Sequence, residues 1–192
     1  IAYYPHPKSC IYKLNSSDKD EQIPISQADA KYKRYIGNGA PKHFLSWSNN
    51  LTWRNFDLSV FFRGTFGFDV FNMRKYGMGL QGCGTDNVLR SAYLEDKNIR
   101  TGGGVISSYF LEDGSFIKLE NVTLGYNFTP KNRKLLDNMR IYLSAKNLFT
   151  LTGYSGNDPS IIDVNGIQPG VDSNSAYPTA TQLSLGVTLR FK

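Results

Sequence analysis

Strict alternation of apolar and polar residues is the feature that most constrains how this chain can fold. Successive side chains on a β-strand point to opposite faces, so alternation predicts a strand with one apolar and one polar face. The pattern is clearest near the end of the chain, in Leu183, Leu185, Val187, Leu189 and Phe191. Alternation of this kind predicts strands over 43–53, 56–66, 116–128, 139–151 and 181–191.

The connections between these strands are alternately short and long. Arg54-Asn55 and 129–138 are short, whereas 67–115 and 152–180 are long and rich in glycine. Structureless loops as long as 67–115 are uncommon inside compact domains. A membrane barrel, with short periplasmic turns and long extracellular loops, alternates in this way. The sequence therefore predicts an all-β, antiparallel transmembrane β-barrel.

The predicted organisation treats the whole chain as the C-terminal part of one barrel domain. Its segments are a loop region 1–42, a hairpin 43–66, an extracellular loop 67–115 with short helices near 70–76 and 86–94, a strand-turn-strand segment 116–151, an extracellular loop 152–180 and a terminal strand 181–192. Five strands cannot close a barrel, because open edges in lipid would leave backbone groups without partners. The first residue is Ile1, with no signal segment, so we expect a longer parent protein.

The apolar faces of these strands are expected to contact lipid. The expected lipid-facing residues are Trp47, Trp53, Leu58, Val60, Phe62, Leu143, Leu185, Val187 and Phe191. Trp53 lies at the turn end of its strand, where membrane barrels carry a girdle of aromatic residues.

Charge and hydropathy exclude two other classes of protein. A transmembrane helix needs about 20 consecutive apolar residues, and no such run occurs. The net charge of +6 is dispersed along the chain, which favours solvated loops and barrel-lumen walls over a nucleic-acid partner. Arg63 and Lys146 could line the lumen and attract anionic groups, or pair with charges on neighbouring strands.

Several motifs together resemble one family, the SusC/RagA-type TonB-dependent outer-membrane transporters, over roughly residues 30–192. They are IGNGAPK (36–42), NFDL (55–58), FGFDVFN (66–72), YFLEDGSFIKL (109–119) and NVTLGY (121–126). The most specific is AKNLFT (145–150) followed by YSGNDP (154–159).

The resemblance implies the fold and function of such a transporter. The chain would supply the last five or so strands of a barrel of about 22 strands, in the cell outer membrane. It would act in active import of an oligosaccharide or peptide, with a SusD-like surface lipoprotein as partner and TonB acting through a plug region that this chain lacks. A passive porin or structural barrel, and a soluble carbohydrate-binding β-sandwich, remain as alternatives.

The residues indicate a binding protein rather than an enzyme. His6 and His43 are far apart and no nucleophile motif accompanies them, so no catalytic residues are expected. Tyr154, Asn157 and Asp158 are the candidate substrate-binding residues, because aromatic rings stack on sugars and carboxylates accept hydroxyl hydrogens. The alternative is that these residues fold the loop that follows the fourth strand.

No cofactor or metal is expected. The acidic segment 158–166 has oxygen ligands that could hold calcium, but it lacks a closing bidentate glutamate, which favours a solvated loop. Cys10 and Cys83 could form a disulfide in an oxidising compartment or remain as two unpaired thiols.

Overall fold

The computed structural model describes residues 35–79, 88–90, 108–130, 136–161, 169–172, 177 and 179–191, and the backbone of three short strands before residue 25. The chain forms two compact units. Residues 42–66, 115–152 and 178–192 make up the first, the strand unit. Residues 1–41, 67–114 and 153–177 make up the second, the loop unit.

The described elements are mostly β-strands. In chain order they are β1 (Pro7–Lys8), β2 (Ile11–Ser16), β3 (Lys19–Pro24), β4 (His43–Trp53), β5 (Phe56–Phe66), β6 (Asp69–Asn72), β7 (Leu111–Asp113), β8 (Phe116–Phe128), β9 (Leu136–Thr152), β10 (Val171–Asp172) and β11 (Gln182–Phe191). One α-helix, α1 (Met73–Met78), follows β6, and 3₁₀ turns cover Ser108–Phe110 and Pro159–Ile161.

The strand unit is one antiparallel sheet in the order β4-β5-β8-β9-β11. The long strands are therefore neighbours in chain order, and the predicted antiparallel all-β class is confirmed. The bounds of β4, β5 and β8 are those that the alternation predicts. In contrast, β9 begins at Leu136 and not near 139, because Leu136 still pairs with Phe191. The predicted turn 129–138 is correspondingly shorter.

Pairing across the sheet places the apolar residues of the strands on one face. One row consists of directly paired leucines: Leu51, Leu58, Leu124, Leu143 and Leu185. The next row is Trp53, Phe56, Tyr126, Ile141 and Val187. The row between them in register is polar and lies on the other face: Thr52, Asp57, Gly125, Tyr142 and Gly186. Because directly paired side chains point the same way, alternation along each strand becomes a continuous apolar surface across the sheet.

β-Bulges interrupt this ladder at one level. Phe61-Phe62 of β5 face Leu119-Glu120-Asn121 of β8, and those face Lys146-Asn147-Leu148-Phe149 of β9. Asn147 has a φ of 53°, in the left-handed region that asparagine tolerates better than most residues. Its Nδ2 donates to the Ala180 carbonyl at 3.3 Å, and Thr181 Oγ1 donates to the Asn147 carbonyl at 2.9 Å. The AKNLFT motif thus fixes both the bulge and the start of β11.

The loop unit has a small sheet and an apolar core of its own. β6 pairs antiparallel with β7 and parallel with β10, which joins residues far apart in the sequence. Phe71 and Phe110 are buried, and the side chains packed against them are Met73, Tyr76, Tyr109, Leu111 and Val171. The segments predicted as extracellular loops, 67–115 and 152–180, therefore hold each other through backbone pairing and apolar packing.

The loop region predicted over 1–42 needs a correction. β1, β2 and β3 form a three-stranded antiparallel sheet within it, with Pro7 opposite Tyr12 and Ser16 opposite Lys19. These strands show no apolar alternation, because polar residues and prolines dominate there, whereas strand pairing itself needs only backbone groups.

Other predictions in the loop unit are only partly covered. Where a helix is predicted near 70–76, the structure has β6 followed by α1, because Asn72 ends the strand and caps the helix. The helix predicted near 86–94 and both cysteines, Cys10 and Cys83, lie outside the described residues except for 88–90. None of the described helices is long and apolar enough to cross a membrane.

Candidate functional site

The candidate substrate-binding residues follow directly after β9, in the loop unit. Tyr154 is buried, with 6% of its surface exposed, and its hydroxyl donates to Asp172 Oδ2 at 2.6 Å. Burial, and then the hydrogen bond to Asp172 and the negative charges of Asp172 and Glu112, raise the pKa of Tyr154 well above its ordinary value. The hydroxyl therefore stays protonated and ties the 153–161 segment to β10.

Asn157 and Asp158 differ in their accessibility. Asn157 is exposed, and its Oδ1 accepts a hydrogen bond from Arg74 Nη1 at 2.7 Å. Asp158 is buried, and its Oδ1 accepts from the Ser160 backbone N–H at 2.8 Å. That contact is the local turn that aspartate forms with the backbone two residues further on. Asn157 is thus open to a ligand, whereas Asp158 shapes the Pro159–Ile161 turn.

Glu112 connects segments of the loop unit, and it was not among the residues predicted from the sequence. Its Oε2 accepts from the Ser155 backbone N–H at 2.8 Å, and its Oε1 accepts from Ser155 Oγ at 2.8 Å. Oε1 also accepts from Asn72 Nδ2 at 3.4 Å and lies 3.4 Å from Lys75 Nζ. The carboxylate therefore joins β6, α1, β7 and the segment after β9. We call Glu112, Asn72, Lys75 and Ser155 the Glu112 cluster.

Helix α1 is short, and the Glu112 cluster holds its first turn in place. Asn72 is the N-cap residue, and its Oδ1 accepts from the Lys75 backbone N–H at 2.8 Å. Lys75 Nζ lies 4.4 Å from the centre of the Tyr109 ring, a cation–π distance. This arrangement fixes α1, which presents the exposed Arg74 beside Asn157.

A signal for the Glu112 cluster was present in the sequence. Asn72 ends FGFDVFN, Glu112 lies within YFLEDGSFIKL, and Ser155 lies within YSGNDP. These motifs are far apart in the chain, and only folding shows that they meet. In each motif a polar residue directly follows apolar or aromatic residues. This position was the sign that the three polar side chains contact one another inside the protein.

Chemically, the loop unit offers exposed hydrogen-bonding groups that other side chains of the unit hold in place. The Arg74 guanidinium and the Asn157 amide can bind carboxylates, carbonyls or sugar hydroxyls. Among the described residues, no group of three or more His, Cys, Asp and Glu side chains is arranged to hold a metal ion.

The residues expected to face lipid lie on the apolar face of the strand unit. Trp47, Trp53, Leu143, Leu185, Val187 and Phe191 are exposed, and Leu58, Val60 and Phe62 are partly buried by their neighbours. Trp47 packs on Phe62 with ring centres 5.6 Å apart, and Phe62 is 6.5 Å from Phe149. The apolar side chains thus contact one another while their outer surfaces remain uncovered.

The other face of the strand unit carries paired charges. Arg140 binds Asp57 through Nε at 3.2 Å and Nη2 at 2.5 Å, and Asn127 Nδ2 donates to Asp57 Oδ1 at 2.8 Å. Gly125 leaves room for this carboxylate, because a Cβ there would lie 2.5 Å from it. Arg63 pairs with Glu120 at 3.2 Å across neighbouring strands. Of the two roles considered for Arg63, the cross-strand pair is the one seen.

Comparisons with known proteins agree with this geometry. No family model matches the chain. TonB-dependent receptor P3 of Formosa agariphila is 28% identical over 91% of this chain and 18% of its own length. TonB-dependent receptor SusC of Bacteroides thetaiotaomicron is 28% identical over 75% of this chain and 14% of its own length.

Solved structures share the fold. The RagAB peptide transporter matches with a TM-score of 0.73 and 22% identity over 98% of this chain and 22% of that chain. The chain thus spans less than a quarter of the length of these relatives. The similarity covers most of the chain, the fold is part of a β-barrel, and the motifs that suggested the resemblance fall within it. The chain is therefore similar over most of its length to TonB-dependent receptors, SusC among them, and it shares the fold of part of the RagAB β-barrel.

Proposed function

We propose that this chain works as part of an outer-membrane importer that takes up a nutrient, an oligosaccharide or a peptide. In this proposal TonB supplies energy through a plug region of the parent protein, and a SusD-like surface lipoprotein binds over the extracellular loops. The segments 67–115 and 152–180 are the extracellular loops, and Arg54-Asn55 lies on the periplasmic side.

The observation that carries the proposal is the uncovered apolar face of the strand unit. Strands of 11, 11, 13, 17 and 10 residues are long enough to cross a bilayer, which takes about 9–11 tilted residues. An apolar surface of this size would be a liability in water, whereas lipid is the solvent that stabilises it. In the described residues, β4 and β11 each pair on one side only, so further strands of the same barrel would complete them.

The loop unit supports uptake of a polar nutrient. Arg74 and Asn157 are hydrogen-bonded to each other on its surface. The Glu112 cluster and Tyr154 fix the segments that carry these two residues. We include Tyr154, Asn157 and Asp158 in the proposed substrate-binding region, with Asn157 in direct contact and the other two as supports. A guanidinium beside an amide fits peptide carboxylates and carbonyls as well as sugar hydroxyls. The structures of RagAB are of a peptide transporter.

The experiment that tests the proposal measures uptake by the parent protein in its own cells. Cells that depend on this protein for a candidate nutrient are compared with otherwise identical cells that lack TonB. The expected result is loss of uptake without TonB, although the barrel is still present in the outer membrane. If uptake does not change when TonB is absent, the protein is a passive porin and not an active importer.

A further inference from the structure

The turn between β4 and β5 ends the apolar face of the strand unit with aromatic rings. Trp53 is 64% exposed, and its ring stacks with Phe56 at 6.4 Å between centres. Phe56 in turn contacts Tyr126, with ring centres 4.9 Å apart. These rings form a broad, uncovered platform at the rim of the sheet. Indole and phenol rings prefer the boundary between hydrocarbon and water, because one end is apolar and the other polar.

A cation lies beside this platform. The Arg54 guanidinium carbon is 5.3 Å from the centre of the Trp53 ring, a cation–π contact. A guanidinium carries five N–H donors, so one that contacts a ring in this way can still bind a planar or tetrahedral anion. Trp53, Phe56 and Tyr126 carry no formal charge, so Arg54 is the charged member of this group of four residues.

The backbone at Arg54 favours a role for its side chain. Arg54 has a φ of 53°, in the left-handed region that glycine or asparagine adopts more readily. An arginine held there is less favourable for the turn than asparagine would be. Backbone strain of this kind is concentrated at functional positions, so it is consistent with a binding role for the Arg54 side chain.

We propose that Arg54, Trp53, Phe56 and Tyr126 form a binding site for a membrane phospholipid, with the guanidinium on the headgroup phosphate and the rings against the upper acyl chains. The proposal rests on the proposed function, because it requires the apolar face to lie in a bilayer. Two features favour a phospholipid as the ligand. Arginine binds phosphate through parallel hydrogen bonds, and the exposed rings beside it can pack against acyl chains, which free phosphate lacks.

The test uses the whole parent protein, purified from outer membranes, stripped of lipid and incubated with phosphatidylglycerol. Native mass spectrometry then counts the lipids that remain bound. The main variant is Arg54→Asn, which removes the guanidinium and favours the left-handed backbone. Arg90→Asn is the matched control, because it makes the same change at an exposed arginine of the loop unit. Trp53→Leu tests the ring platform.

The expected result is that Arg54→Asn retains lipid roughly two- to fivefold less well than Arg90→Asn, within the range for an exposed ion pair. The thermal stability of Arg54→Asn should equal or exceed that of the original protein. Trp53→Leu should also lose lipid, and excess inorganic phosphate should not displace it.

The possible negative results distinguish failure of the lipid site from failure of the proposed function. Equal lipid retention by Arg54→Asn and Arg90→Asn would overturn the site. Loss of lipid together with loss of stability would make Arg54 a purely structural residue, and displacement by inorganic phosphate would make it a simple anion site. Recovery of the parent protein outside the membrane fraction would instead overturn the proposed function.

Discussion

Asn147 shows how one residue can be required by backbone geometry alone. Its left-handed φ lets β9 carry an extra residue relative to β8, and its side chain fastens the start of β11. Side chains branched at Cβ are strongly disfavoured in this conformation, whereas glycine adopts it freely.

We therefore expect Asn147→Val to lower the stability of the barrel by about 1–3 kcal/mol, and Asn147→Gly to lower it less. Thermal unfolding of the parent protein in detergent measures both variants. Glycine keeps the backbone and loses only the hydrogen bond to Ala180, so it separates the two contributions. Equal losses in the two variants would show that the hydrogen bond, and not the backbone conformation, makes Asn147 necessary.

Tyr154 gives the loop unit a pH dependence with a defined sign. Its pKa is raised in the folded protein, whereas in the unfolded chain it ionises near its ordinary value of about 10. The folded state therefore holds its proton more tightly. The stability that Tyr154 contributes is complete below about pH 10 and is lost as the pH rises above that value.

The expected result is that protection of 153–161 from proteolysis falls above about pH 10 in the original protein. Tyr154→Phe should be less protected at neutral pH, because the Asp172 carboxylate loses a donor, but it should not show the same additional loss at high pH. A matching alkaline loss in both proteins would assign the effect to other groups.

At the scale of elements, two ion pairs offer a direct comparison. The Lys75–Glu112 side chains are 18% and 14% exposed, whereas those of Arg63–Glu120 are 37% and 35% exposed. Removing one partner of a shielded, hydrogen-bonded carboxylate is far more costly than removing one at the surface. Glu112 also binds Asn72 and Ser155, which both lie about 40 residues from it in the sequence.

Glu112→Leu should thus loosen the loop unit by roughly 2–4 kcal/mol, and Glu120→Leu by at most about 1 kcal/mol. Hydrogen exchange of the backbone amides at 69–78 and 153–158 measures the first effect. Ser155 is the most direct reporter, because its N–H donates to Glu112. The assignment of Glu112 as the connecting residue fails if both variants exchange alike.

The sequence predicted some elements far better than others, for a physical reason. β4 and β5 were predicted to the residue, because each presents a long alternating pattern and a tight turn joins them. β6, β7 and β10 were missed, since strands of two to four residues are too short to show a period. Their pairing depends on contacts between residues such as Phe71 and Val171.

The candidate site was likewise predictable from the sequence only in part. Residue types and a motif were enough to select Tyr154, Asn157 and Asp158. Their different exposures and partners, and the arrival of Arg74 and Glu112 from distant segments, depend on tertiary folding that no local pattern records.

At the scale of the whole molecule, the medium around the apolar face can be tested with neighbouring residues. Leu185 is 76% exposed on the apolar face, and Ser184 points to the polar face. At a position exposed to water, substitution by arginine changes the stability of the protein very little. At the middle of a bilayer, the same substitution lowers the stability by about 2–4 kcal/mol. Leu185→Arg should therefore reduce outer-membrane assembly of the parent protein much more than Ser184→Arg does. Equal assembly of the two variants, measured by heat-dependent gel mobility, would place the apolar face in water.

The bulges across β5, β8 and β9 also bear on how such a sheet is assembled. A strand that docks one residue out of place turns its apolar side chains to the wrong face, so alternation alone rejects that mistake. Alternation does not reject a shift of two residues, which restores the same faces. After such a shift the extra residue of β9 would fall on Ala145 or Phe149, which have neither the side-chain amide nor the tolerance of Asn147 for a left-handed backbone. The bulge therefore specifies the register of β9 against β8 independently of the apolar alternation. During assembly of the barrel it disfavours the two-residue shifts that alternation alone would allow.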